Sequence, residues 1–131
     1  MKKRGILNAQ LSGLLATLGH TDQLVVADCG LPLPPEVPVV DLALVQGIPC
    51  FAEVVAALAD ELVVQRLTVA EEAVQHNPGA LEALRTAFPD VPLDRVPHEQ
   101  LKHELPVVKA VVRTGEAAPY ANVILECGVA F

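Results

Sequence analysis

Helical and strand patterns alternate along this chain, and that alternation limits its fold more than any other feature. Leu7, Leu11, Leu14 and Leu18 recur at helical spacing, with Gly19 placed to end the helix. The spacing predicts an amphipathic helix over residues 5–18. Leu24-Val25-Val26-Ala27 is a continuous apolar run and reads as a buried strand ending at Asp28. Pro32, Pro34, Pro35 and Pro38 make residues 30–38 a stiff, irregular loop. Val39 to Leu44 reads as a second short strand, Phe51 to Leu62 as a helix and Val63 to Ala70 as a strand. Asn77-Pro78-Gly79 opens a helix, with Asn77 as cap, and Pro89 stops it near Phe88. A short helix fits residues 98–105, and residues 107–112 and 123–125 read as the last strands. The pattern predicts an α/β fold over residues 1–131: a single compact domain with a mainly parallel sheet flanked by helices. There is no internal repeat or linker.

Composition narrows the partners. Hydrophobic residues make up 52% of the 131-residue chain but aromatics only 3%, so the core must be aliphatic. With a mean hydropathy of +0.42, either the core is very well filled or part of the surface is buried against other copies. The net charge is −7, and basic residues are scattered apart from Lys2-Lys3-Arg4. A nucleic-acid binder needs a basic stripe, so nucleic acid is not expected as a partner. Asn8, Gln10 and Ser12 interrupt any signal-peptide core after those basic residues, and no apolar run approaches the ~20 residues that span a membrane. The odd number of cysteines, at 29, 50 and 127, fits reduced thiols in the cytoplasm.

Two polar clusters interrupt apolar segments at element ends, where α/β proteins place their sites. The first is Gly19-His20-Thr21-Asp22, followed after a short apolar run by Asp28-Cys29-Gly30-Leu31-Pro32. The second is Arg113-Thr114-Gly115-Glu116, followed by Pro119-Tyr120-Ala121-Asn122. His20 can give or take a proton near neutrality. From position alone it reads sooner as an exposed histidine facing a helix dipole. Asp28, at the end of a buried strand, needs partners for its charge; a bond to a substrate or a turn bond near Gly30 would serve. Asp22 can orient the imidazole or cap the following segment. Tyr120, the only tyrosine, offers an apolar face with a polar tip, and Asn122 offers one acceptor and two donors; both suit a sugar, and both suit a loop. Thr114-Gly115-Glu116 reads as loop-shaping, with Glu116 a further candidate partner. His98 alone reads as a capping or surface residue, and His76 as solvated. His98 and His103 would lie about 140° apart on a helix, so they make no one-face metal pair. Cys29 carries no flanking signature of a thiol hydrolase.

These residues also carry a resemblance. Lys2-Lys3-Arg4-Gly5-Ile6-Leu7-Asn8, Leu18-Gly19-His20-Thr21-Asp22, Ala27-Asp28-Cys29-Gly30-Leu31-Pro32, His98-Glu99, Arg113-Thr114-Gly115-Glu116 through Asn122 and the ending Gly128-Val129-Ala130-Phe131 follow one another in order over nearly the whole chain. In this the chain resembles the D-ribose pyranase family, small sugar mutarotases that accompany ribose uptake and are related to the fucose mutarotases. Cys29 departs from it, because the family usually has alanine there. The resemblance implies interconversion of the β-pyranose and β-furanose forms of D-ribose without a cofactor or metal. It makes His20 the catalytic residue and Asp28, His98, Tyr120 and Asn122 the substrate-binding residues. It also implies a homo-oligomer, a decamer of two stacked pentamers, in which the Tyr120–Asn122 loop of one chain faces the His20 cleft of the next. Two other readings remain: a mutarotase of another sugar such as L-fucose, and a non-catalytic sugar-binding accessory of ribose uptake.

Overall fold

A continuous apolar run can be buried on both faces, and the strand Gln23–Ala27 (β1), apolar and buried from Leu24 to Ala27, lies inside the sheet for that reason. The computed structural model describes all of residues 1–131. Before β1 comes helix α1 (Ala9–Leu15). After it come β2 (Val39–Asp41), α2 (Phe51–Ala59), β3 (Val64–Ala70), α3 (Ala73–His76), α4 (Pro78–Ala87), β4 (Leu93–Val96), α5 (His98–Glu104), a 3₁₀ turn (Leu105–Val107), β5 (Ala110–Arg113) and β6 (Val123–Cys127). The six strands form one sheet in the order β2-β5-β1-β6-β3-β4. The β1–β5, β2–β5 and β3–β4 pairs are parallel, and β6 runs antiparallel to both β1 and β3. The expected mainly parallel α/β domain is therefore what forms.

Side chains alternate across each strand, so the apolar run of β1 feeds two cores. Leu24 and Val26 face a layer that includes Leu11 of α1, Val55 and Leu58 of α2 and Leu84 of α4. Val25 and Ala27 face a smaller layer built from Leu31, Val37, Leu101, Leu105 and Val108. The proline-rich loop and α5 thus cover the second face of the sheet.

Several boundaries differ from the sequence reading, each for a local reason. α1 starts at Ala9, not residue 5, because the Asn8 side chain caps it by accepting from Leu11 N–H (2.8 Å). Leu7 stays outside the helix and is exposed. β2 stops at Asp41, whose carboxylate accepts from Ala43 N–H (3.0 Å) and pairs with Arg113 (3.0 Å). Val107 belongs to the 3₁₀ turn, so the strand after it begins at Ala110. β6 runs two residues beyond Leu125, to Cys127. Two elements were not expected at all: α3, a single turn, and β4, an edge strand with Asp94 and Arg95 at its centre.

The topology sorts the loops into two groups. Parallel β1, β3, β4 and β5 end at the same side of the sheet, and antiparallel β6 begins there. Asp28, the Glu72–His76 turn, His98, the Thr114–Tyr120 loop and Asn122 therefore gather at that side. His20 precedes β1 and lies at the other.

Candidate active site

Asp28 follows directly on β1, and Asn122 directly precedes β6. Because these two strands are antiparallel neighbours, the residues meet across the sheet end. Asn122 Nδ2 donates to Asp28 Oδ2 (2.8 Å), and Asp28 N–H donates to Asn122 Oδ1 (2.9 Å). Gly30 N–H donates to the other carboxylate oxygen (3.0 Å). The turn bond near Gly30 expected of Asp28 is therefore present, and the residue also lines a pocket. Asn122 is only 1% exposed and spends its carboxamide on Asp28. It stands behind the pocket wall rather than in it.

The Thr114–Asn122 loop forms a second wall. Thr114 is fully buried; its hydroxyl donates to Ala27 O (2.8 Å) and accepts from Glu116 N–H (3.1 Å). Gly115 must be glycine, because a Cβ there would overlap the Ile48 backbone. Glu116 accepts from Ala117 and Ala118 N–H (3.0 Å each) and from Phe51 N–H at the start of α2 (3.3 Å). The Thr-Gly-Glu sequence shapes this loop, as its composition suggested.

Tyr120 ends that loop in the left-handed region, at φ 60°. A bulky L-residue adopts this conformation only where its surroundings fix it, at a cost of about 1–3 kcal/mol. Here the Asn77 side chain holds the preceding carbonyl, with Nδ2 donating to Pro119 O (2.9 Å). The phenol ring meets two imidazoles: His98 edge-on with centroids 5.1 Å apart, and His76 tilted at 5.7 Å. His98 is the first residue of α5, and its N–H donates to the Glu72 carboxylate (3.0 and 3.2 Å). Its ring Nδ1 is buried without a hydrogen-bond partner.

Asp28, His98, Glu116 and Tyr120, with Cys29 and Pro32 among their neighbours, line a pocket of about 390 Å³. That is a size usual for small-molecule sites. A larger groove of about 520 Å³ between α2 and α4 is walled mainly by alanines. The smaller pocket carries a carboxylate, an imidazole and a phenol, and is the one equipped for hydroxyl recognition.

The structure does not bring His20 into this pocket within one chain. Five-residue β1 separates His20 from Asp28, and it spans roughly 17 Å. His20 lies exposed in a turn whose next residue, Thr21, is also left-handed, at φ 68°. Asp22 closes this turn: its carboxylate accepts from Gly19 N–H (2.9 Å) and pairs with Lys109 (3.5 Å). The Gly19 bond, followed by the Lys109 charge, holds the Asp22 carboxyl below its usual 3.8. His20 Nε2 lies 3.1 Å from Gln65 Oε1. Burial pushes the thiol of nearby Cys127 up, and the charges of Asp22 and Glu126 add to that. A second cleft of about 480 Å³ runs past His20, with Leu18, Glu61, Val129 and Phe131 on its walls.

The family model described as the RbsD / FucU transport protein family matches residues 1–130. The chain belongs to that family. Its relatives include the D-ribose pyranase of Geobacillus kaustophilus, 53% identical over 131 residues, which are 100% of this chain and 96% of the relative. Among solved structures, Bacillus subtilis RbsD complexed with D-ribose superposes with a TM-score of 0.95 at 44% identity, over 100% of both chains. The fucose mutarotase of Streptococcus pneumoniae in complex with L-fucose shares the fold, with a TM-score of 0.81 at 19% identity and 95% of each chain covered. In this RbsD / FucU member, the sequence reading passes over Glu72 and Gln65 and takes His76 only as solvated, whereas its exposed ring packs on Tyr120. Glu72 and His76 sit in a single helical turn, too short to show a period. Gln65 reaches His20 across 45 positions of sequence.

Proposed function

We infer that this chain interconverts the β-pyranose and β-furanose forms of D-ribose, the activity of a D-ribose pyranase. The full-length likeness to such enzymes carries the reading, and the hydroxyl-matched pocket at the strand ends supports it. The chemistry is an isomerisation with no net change of atoms. A base takes the proton from the anomeric hydroxyl, the bond from C1 to the ring oxygen breaks, and an acid protonates that oxygen. The open aldehyde rotates, a different hydroxyl adds to C1, and the same proton transfers run in reverse. Positioned groups of this kind contribute ~10²–10⁴-fold.

On this reading Asp28, His98 and Tyr120 bind the sugar through its hydroxyls and one ring face, and Asn122 supports them by fixing the Asp28 carboxylate. His20 transfers the proton. Since it stands at the far end of β1, it reaches a sugar only if a neighbouring copy supplies it. Two apolar regions favour such a head-to-tail contact. Leu44, Val45 and Ile48 are exposed on the loop beside the pocket, while Val63, Val129 and Phe131 are exposed around His20. Different patches at opposite ends make a heterologous contact, which closes when copies form a ring. The decamer of stacked pentamers and a cytoplasmic location belong to this same proposal. No helix is long and apolar enough to cross a membrane.

Exchange spectroscopy by NMR on D-ribose tests the activity. Catalytic amounts of protein are expected to speed exchange between pyranose and furanose signals, with L-fucose accelerated less. Binding without acceleration would leave a sugar-binding accessory, and faster exchange of fucose would reassign the substrate. Mixing His20→Ala with Tyr120→Ala subunits is expected to restore part of the exchange. No recovery after verified subunit exchange would overturn the shared site.

A further inference from the structure

Gln65 stands at a break in the regular pairing of β3 with β6. Val64 pairs with Cys127 and Arg66 with Glu126, so the register shifts across Gln65. Such an irregularity re-aims a side chain, and bulges are common beside active sites. Here the Gln65 carboxamide reaches two groups. Its Nε2 donates to Glu126 Oε1 (2.6 Å), and its Oε1 lies 3.1 Å from His20 Nε2.

The direction of this chain of bonds is fixed by what each group can do. A carboxylate only accepts, so Glu126 takes the amide N–H and leaves the amide oxygen turned to His20. An amide oxygen also only accepts. The nitrogen facing it must therefore carry a proton, and in the neutral imidazole the other nitrogen is then the base. We propose that Gln65, oriented by Glu126, is a positioning residue that holds His20 as the Nε2–H tautomer, so that Nδ1 is the atom that takes the proton of the sugar's anomeric hydroxyl. The transferred proton adds to Nδ1, giving the imidazolium, and returns from Nδ1 to the ring oxygen. The Nε2–H stays on Gln65 throughout. The other charged groups near His20 leave this assignment intact. Asp22 is engaged with Gly19 and Lys109, and Glu61 accepts from Ile6 N–H (2.5 Å).

The inference rests on His20 as the proton-transfer group, and its test has an arm that needs no sugar. Long-range ¹H–¹⁵N correlation on the full ¹⁵N-labelled protein, with His20 assigned by its loss in His20→Ala, reads the tautomer directly. Wild type is expected to show Nε2 protonated and Nδ1 bare in the neutral ring. Glu126→Lys is the informative variant. An ammonium only donates, so the Gln65 amide turns its oxygen to Lys and its NH₂ to His20, and the population shifts toward Nδ1–H. Exchange of ribose ring forms at saturating sugar is then expected to fall at least about tenfold, with KM changed less than about twofold. Glu126→Gln, which can present either a donor or an acceptor, is expected to restore most of the rate. A wild-type ring protonated at Nδ1, or a Glu126→Lys protein with unchanged spectrum and rate, overturns the inference. Should the spectra behave as expected while wild type fails to accelerate exchange, the functional reading falls and the tautomer assignment stands.

Discussion

The two ends of β1 are built alike and finished differently. Beside each lies a turn that holds a non-glycine residue in the left-handed region, Tyr120 in the loop before β6 at one end and Thr21 just before β1 at the other. Each places an aspartate so that its carboxylate accepts from a glycine N–H, Gly30 for Asp28 and Gly19 for Asp22. At the Asp28 end the partners continue inward: a buried Asn122, a buried Thr114, and imidazoles packed on the phenol. At the His20 end they stay near the surface, in an exposed Gln65 that leads on to Glu126. One chain can therefore assemble a binding pocket but leaves its proton-transfer candidate exposed. A sugar needs hydroxyl partners to bind, and it needs a correctly placed proton-transfer group to react. The proposed function assigns these two needs to the two ends.

The largest effect expected from this division follows His20→Ala. Removing the titratable group should slow ring-form exchange by ~10²-fold or more while ribose affinity changes little. Exchange NMR and titration calorimetry on the same preparation separate the two quantities. A variant that loses affinity but keeps its rate at saturation would reverse the roles assigned to the ends.

Next in size is the Asp28 end. Asp28 accepts from two donors, Gly30 N–H and Asn122 Nδ2, with separate oxygens. Asp28→Asn leaves one of them facing an NH₂ group, so the turn and the pocket wall both shift. A broken buried bond costs about 1–3 kcal/mol, which corresponds to roughly 5- to 150-fold in Kd. Asn122→Ala should weaken ribose binding comparably, although the Asn122 side chain lies outside the pocket, because it frees Asp28. It should also lower the melting temperature, since Asp28 N–H and Oδ2 lose their partner. Unchanged affinity in both variants would detach the pocket from sugar binding.

What could be read in advance follows from where information sits along the chain. β1 was legible because Leu24–Ala27 is apolar throughout, and Asp28 because it breaks that run. The Asn77 cap was legible from three adjacent residues, and it does accept from Ala80 N–H (3.1 Å). β4 was not, because an edge strand has only one paired side. Its central Asp94 and Arg95 are exposed, and Asp94 pairs with Arg66 of β3 (3.1 Å). The Asp28–Asn122 bridge joins residues 94 positions apart, so only the fold reveals it. The residues of the site were named by family resemblance. Their partition between two ends of a strand came from the sheet, which no local pattern encodes.

The smallest effect tests whether the His20 turn is held by charge. Asp22 has its carboxyl lowered below 3.8, first by the Gly19 N–H and then by Lys109. A depressed carboxyl stabilises the fold at pH values above its unfolded value, and this contribution is lost as pH falls through the lower, folded value. Asp22→Asn removes the charge but keeps an oxygen for Gly19. The melting temperature of wild type should therefore exceed that of the variant at pH 7, and the gap should close as pH drops below 3.8. High salt should narrow the gap at pH 7 by screening Lys109 and should spare the share due to Gly19. Thermal melts of both proteins across this range decide the point. A gap that stays constant with pH would mean that shape, not charge, holds the turn. The exposed end of β1 would then resemble the buried end more closely than its surface position suggests.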